Sequence, residues 1–202
     1  MSHIGINVHD IVKGAVLKPP DWLASVVNDH LGRFITAGNV PDKPDFIIRT
    51  NETQDLKPVS ITPGPQHRMG CIIHQGRRGI FLLHRDSPEV GIFPGDPPTV
   101  LCTGGKRAAQ RTYGMTLLAI DLALRQVGGL LFHGVCLSHC GHSLLLYGAH
   151  GSCKTSIALT LMRDGWNYIA DDKLVLHDQC AHIFEDVLGI RDHHICNIPW
   201  LT

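Results

Sequence analysis

The segment Gly148-Ala149-His150-Gly151-Ser152-Cys153-Lys154-Thr155 lies between an apolar run at 143–147 and a stretch at 155–162 with helical spacing. A glycine-bearing loop that leaves a strand, enters a helix and closes on Lys-Thr constrains the fold more than anything else in the chain. Around it the order reads strand, strand, loop, helix, strand, then the acidic pair Asp171-Asp172. Two apolar runs at 130–137 and 143–147, with a turn near Gly141, precede the loop, and Tyr168-Ile169-Ala170 leads into the carboxylates. Ile157, Ala158, Leu161 and Met162 offer the helix an apolar side, and Gly165 is placed to end it.

The loop nearly matches GxxxxGK[ST]. Glycines let successive backbone N–H groups turn toward phosphate oxygens, and the following helix presents its positive end to the same anion. Lys154 would neutralise β- and γ-phosphate charge, and the Thr155 hydroxyl would ligate Mg²⁺. One position departs from the pattern: Cys153 stands where a glycine is expected before the lysine. If that position needs a positive φ, its side chain costs roughly 1–2 kcal/mol, which would weaken nucleotide binding about tenfold. A glycine-rich turn that binds no phosphate is the plain alternative.

Asp171-Asp172 is a second, independent element. One carboxylate would hold Mg²⁺ and the other would accept a proton from an attacking hydroxyl. An acidic pair after a strand is often only a solvated turn; its place on the strand following the loop and helix favours function.

The remainder bounds the class. At 202 residues and 44% hydrophobic content the chain has material for a packed core. Eighteen basic residues balance eighteen acidic ones, so no global field recruits nucleic acid or an anionic membrane. The seven cysteines form no tight framework, and neither a signal peptide nor an apolar run of spanning length is evident. A cytoplasmic protein with reduced thiols is expected. Residues 1–43 are weakly patterned apart from a short amphipathic helix from Asp21 to Leu31. Short apolar runs at 46–49, 71–74, 80–84 and 99–103, separated by Gly- and Pro-rich segments, predict an antiparallel meander, with Arg77 and Arg78 in a hairpin turn. A helix follows at 106–126, its core stripe expected at Tyr113, Leu117, Ile120 and Leu124.

With these residues in view, a resemblance becomes specific. His133-Gly134-Val135, the strand pair, the loop 148–155, the helix, Gly165-Trp166 and Ile169-Ala170-Asp171-Asp172 together resemble the catalytic core of the HPr kinase/phosphorylase family and of related kinases found with peptide-modification systems. The resemblance covers 130–176 and, more loosely, the preceding helix. It implies an α/β fold with a P-loop HPr-kinase-like core at 105–202 and a small antiparallel β-rich region at 1–104. It implies nucleotide phosphate binding by the loop, notably Gly148, Gly151, Lys154 and Thr155, with Asp172 as base, Asp171 as a metal ligand, and His133 beside the transferred phosphoryl group. Read without the resemblance, His133 is a histidine packed on an apolar strand. The family continues well beyond its acidic pair, and Gly189-Ile190-Arg191 is only an echo of its later signature. A C-terminally truncated chain or an inactive relative is therefore also expected.

A rival constellation, His133, Cys136, His139, Cys140 and His142, has metal-binding residue types, but strand alternation would split it between two faces. His193-His194 with Cys196 is no stronger. The expected function is ATP-dependent, Mg²⁺-requiring phosphorylation of a Ser hydroxyl on a protein or peptide. The alternatives are a non-catalytic nucleotide-binding module and a small-molecule hydroxyl kinase. Neither nucleic acid nor membrane is an expected partner, and homo-oligomerisation stays open.

Overall fold

The structure is a computed structural model that describes residues 3–36, 38–50, 58–62, 68–74, 77–83, 90–102, 109–149 and 151–184; of these, 58–62, 68–74, 77–78, 81–83 and 109–110 are described by their backbone alone. The chain divides into two compact units, 1–127 and 128–202. Both mix strands with helices.

The first unit holds a nine-stranded mixed sheet. In chain order its strands are β1 (Ile4–Val8), β2 (Val12–Leu17), β3 (Ile35–Thr36), β4 (Phe46–Thr50), β5 (Pro58–Thr62), β6 (Arg68–His74), β7 (Arg77–Leu83), β8 (Val90–Phe93) and β9 (Thr99–Cys102). Across the sheet they run β3-β1-β2-β4-β9-β8-β7-β6-β5. Strands β5 to β9 form an antiparallel meander; the runs expected at 71–74, 80–84 and 99–103 fall in its β6, β7 and β9, whereas the run at 46–49 is β4, outside the meander. The expectation of a wholly antiparallel region is corrected by β2, β4 and β9, which are parallel neighbours. Parallel pairing needs a long return path. Segment 18–45, with helix α1 (Asp21–Leu31), returns the chain from β2 to β4, and the meander returns it from β4 to β9. Arg77 and Arg78 open β7, opposite His74 and Ile73, and do not form a turn.

Helix α1 buries Leu23, Val26, Val27 and Leu31, a stripe at helical spacing. Helix α2 (Ala109–Gln126) packs on α1 and on β4, β8 and β9, so it belongs to the first unit and not with the residues that follow. Its buried face is Thr112, Met115, Thr116, Ala119, Ile120, Ala123 and Leu124, rotated from the expected stripe. Two threonines enter this core because their hydroxyls find partners: Thr116 Oγ1 donates to Thr112 O at 2.8 Å, and Thr112 Oγ1 lies 3.6 Å from Cys102 Sγ. Tyr113 sits at the border, stacked on His30 at 4.2 Å.

The second unit contains two three-stranded sheets. One is β10 (Leu130–His133), β14 (Lys173–His177) and β15 (Cys180–Ile183), in the order β10-β14-β15; the other, β12-β11-β13, contains β11 (Val135–His139), β12 (His142–Leu146) and β13 (Asn167–Ala170). The apolar run at 130–137 is thus two strands, broken at Gly134. A Cβ there would meet Leu146 O at 2.5 Å and Phe132 Cε1 at 2.7 Å, so only glycine fits. Tight hairpins turn at Cys140-Gly141 and Asp178-Gln179, each pair at positive φ, as two-residue hairpin loops require.

Helix α3 (Lys154–Arg163) packs on β11 and β13, with Ala158 against Val135 and Leu137. Ala158 and Leu159 are its buried residues, whereas Ile157, expected on the apolar side, is exposed. Gly165, at φ 93°, ends the helix: its N–H bonds Met162 O at 3.1 Å and that of Trp166 bonds Leu161 O at 3.0 Å, the paired bonds of a Schellman cap. No helix among the described residues is long and apolar enough to cross a membrane.

Candidate functional site

Strand direction assembles the site. β12 and β13 each run antiparallel to β11, so they run parallel to each other on either side of it. The loop that leaves β12 and the carboxylates that leave β13 therefore emerge at the same end of the sheet.

Within the loop, Gly148 has φ 154° and Gly151 φ 81°. Ser152 N–H donates to Ala149 O at 3.2 Å, closing a tight turn. Cys153 follows at φ 59°, ψ 23°, a left-handed conformation at the helix N-cap, so the position does demand what glycine supplies most cheaply. The first α3 ladder bond runs from Ile157 N–H to Cys153 O at 2.9 Å. This leaves the N–H groups of Lys154, Thr155 and Ser156 outside the ladder at the positive end of the helix. Lys154 Nζ donates to the carbonyls of Gly148 and Ala149 at 3.0 and 3.2 Å, so its ammonium lies across the loop. His150 lies outside the described residues.

The acidic pair occupies the junction where the chain leaves one sheet for the other. Gly134 marks the same junction on the facing strand, and its N–H donates to Asp172 O at 3.1 Å. Asp171 is buried, at 8% exposure, and accepts a hydrogen bond from Thr155 Oγ1 at 3.4 Å. That contact joins the loop to the pair. Asp172 has φ 80°, a left-handed conformation that aspartate tolerates better than most residues. Its carboxylate accepts from His133 Nδ1 at 2.9 Å through Oδ1 and from Lys173 Nζ through Oδ2. An ionised carboxylate only accepts, so His133 Nδ1 is the donor in this contact. The side chain of His133 is 60% exposed, which overturns the packed-histidine reading.

Among the expected site residues, Thr155 and Asp171 meet, as do His133 and Asp172, while Lys154 engages its own loop. Lys173 is a contact that the sequence reading missed; its signal was its place directly after the acidic pair. The His/Cys constellation does not converge. His133 turns to Asp172, and His139 bonds Gly165 O at 3.2 Å and stacks on Trp166 at 5.3 Å. Cys136 is buried on β11, and its burial raises the thiol pKa and disfavours the thiolate a metal needs. Among the described residues no three His, Cys, Asp or Glu side chains are grouped to hold a metal ion. The segment with His193, His194 and Cys196 lies outside the described residues.

A loop–helix turn and two carboxylates, one bonded to the loop and one beside a histidine, thus meet at one end of the β12-β11-β13 sheet. No protein-family model matches the chain, and no curated protein matches it.

Proposed function

We propose that this chain is an ATP-dependent kinase with a P-loop, HPr-kinase-like core that phosphorylates a Ser hydroxyl on a protein or peptide. The observation that carries the reading is the 3.4 Å contact between Thr155 Oγ1 and Asp171 Oδ2 beside the His133–Asp172 pair. Adjacent ligand oxygens of an octahedral Mg²⁺ stand about 3 Å apart, so these two atoms are close to the separation a shared cation imposes. Mg²⁺ held by Thr155 and Asp171 would neutralise charge on the β- and γ-phosphates. Gly148, Ala149, His150, Gly151, Ser152 and Cys153 would supply the backbone of the phosphate cradle, with Lys154 moving from the loop carbonyls onto the phosphates. Asp172 would take the proton from the seryl hydroxyl as its oxygen attacks the γ-phosphorus and the bridging oxygen leaves with ADP. His133 holds the Asp172 carboxylate for that step. A cytoplasmic setting, with ATP and reduced thiols, suits this chemistry.

One observation favours a second reading. Left-handed Cys153 puts a side chain where the loop pattern has glycine, its Sγ 3.9 Å from Gly151 O, which suits a nucleotide-binding module without transfer. Labelled-ATP transfer to seryl proteins, seryl peptides and small-molecule hydroxyls separates the readings. The expected result is transfer to a protein or peptide by wild type, lost in Lys154→Ala and Asp172→Asn, with ATP still bound by Asp172→Asn. Transfer only to a small molecule indicates a small-molecule kinase. ATP binding without transfer to any acceptor indicates the module, and a wild-type chain that binds no ATP ends every nucleotide reading.

A further inference from the structure

The geometry points to Lys173 as a positioning residue for the reacting carboxylate, an assignment that rests on the kinase reading. His133 and Lys173 are direct partners in the antiparallel β10–β14 register, so their side chains share one face of the sheet. Asp172 lies between them in space and one residue before Lys173 in the chain. His133 takes Oδ1 and Lys173 takes Oδ2, so both carboxylate oxygens are held and the rotation of the group is fixed. The Lys173 side chain is only 20% exposed, against 43% for Asp172, so its stem is packed and its ammonium is directed to the carboxylate. An ionised carboxylate has about four lone-pair sites, so two donors leave room for a substrate hydroxyl to approach. Lys173 acts through Asp172, setting the direction in which the remaining lone pairs point.

Full-length wild type, Lys173→Met and Lys173→Arg test this with two readouts. The first separates kcat from KM for ATP in phosphoryl transfer. Lys173→Met is expected to lose about tenfold to a hundredfold in kcat, the scale of a misdirected reacting group, with little change in KM. Lys173→Arg, which restores a cation, recovers most of the loss. The second readout is the ring nitrogen NMR signature of His133, which needs no nucleotide. The Nδ1–H signal hydrogen-bonded to Asp172 is expected to shift in Lys173→Met and to return in Lys173→Arg. An unmoved His133 signal in Lys173→Met overturns the proposal whatever the rates, and so does a kcat within about twofold of wild type. If wild type transfers no phosphate at all, the kinase reading fails, and the ring signal still decides whether Lys173 holds Asp172.

Discussion

Gly134 donates its backbone N–H to the carbonyl of Asp172 across 3.1 Å, where the chain crosses between the two sheets of the second unit. The bond ties the histidine strand to the acidic pair, and the lack of a side chain at Gly134 lets the two come together. Gly134→Ala forces a Cβ to within 2.5 Å of Leu146 O, a backbone atom that cannot turn aside. It should destabilise the chain by about 1–3 kcal/mol, the usual cost of overpacking a tight site. Chemical denaturation checks this, with an unchanged unfolding midpoint counting against the close approach.

Cys153 gives a prediction of opposite sign. Its φ of 59° costs a side chain roughly 1–2 kcal/mol relative to glycine, while glycine loses about 0.5–1 kcal/mol of that through unfolded-chain entropy. Cys153→Gly should therefore stabilise by about 0.5–1 kcal/mol. Cys153→Ala keeps the Cβ and should not. A thermal melt of the three proteins distinguishes relief of backbone strain from mere removal of a thiol.

The cysteines should separate by reactivity. Cys140, Cys153 and Cys180 are exposed, whereas Cys102 and Cys136 are buried. Burial pushes the Cys102 thiol up to about 12 and raises that of Cys136 as well. Because the thiolate is the nucleophile, a raised pKa leaves less of it at any pH below that value. At pH 8 iodoacetamide should label the exposed three and reach Cys102 and Cys136 at least about a hundredfold more slowly. Peptide mass spectrometry on native and unfolded protein reads the difference.

If Asp171 and Thr155 share a cation, nucleotide affinity should depend on Mg²⁺ through them. Wild type should bind ATP about tenfold tighter with Mg²⁺ than without, and Asp171→Asn should lose most of that gain while its Mg²⁺-free affinity changes little. Titration calorimetry in the presence and absence of Mg²⁺ measures both. An undiminished Mg²⁺ gain in Asp171→Asn would remove Asp171 from the metal site.

Asp172 should matter to rate more than to binding. Loss of a general base costs about a hundredfold to ten-thousandfold, so Asp172→Asn should lower transfer on that scale at similar ATP affinity. His133→Ala frees one carboxylate oxygen and should fall between Asp172→Asn and wild type. Single-turnover transfer rates at saturating ATP rank the three.

Elements whose signal is local were legible in the sequence. Helix α1 runs from Asp21 to Leu31 as its stripe predicts, and α3 starts at the lysine of the loop. The left-handed turn at Cys153 follows from the glycine pattern it interrupts. The β1–β2 hairpin was not legible: its turn uses His9 and Asp10, at φ 55° and 60°, without the Asn-Gly or Asp-Gly pair that announces such turns. The rotated face of α2 was hidden because Thr112 and Thr116 read as surface residues until their hydroxyls find partners.

For the candidate site, the sequence alone determined the order of loop, helix and acidic pair, and the residue types able to meet phosphate and a cation. Chain order, glycine placement and helix periodicity are short-range properties, written in neighbouring residues. Only the tertiary structure decided that β11 lies between β12 and β13, so that loop and carboxylates share one end of a sheet. It also decided that β10 pairs with β14, setting His133 opposite Lys173 with Asp172 between them. Strand partners are chosen by burial summed over the whole unit, and no local pattern encodes which distant strand will supply it.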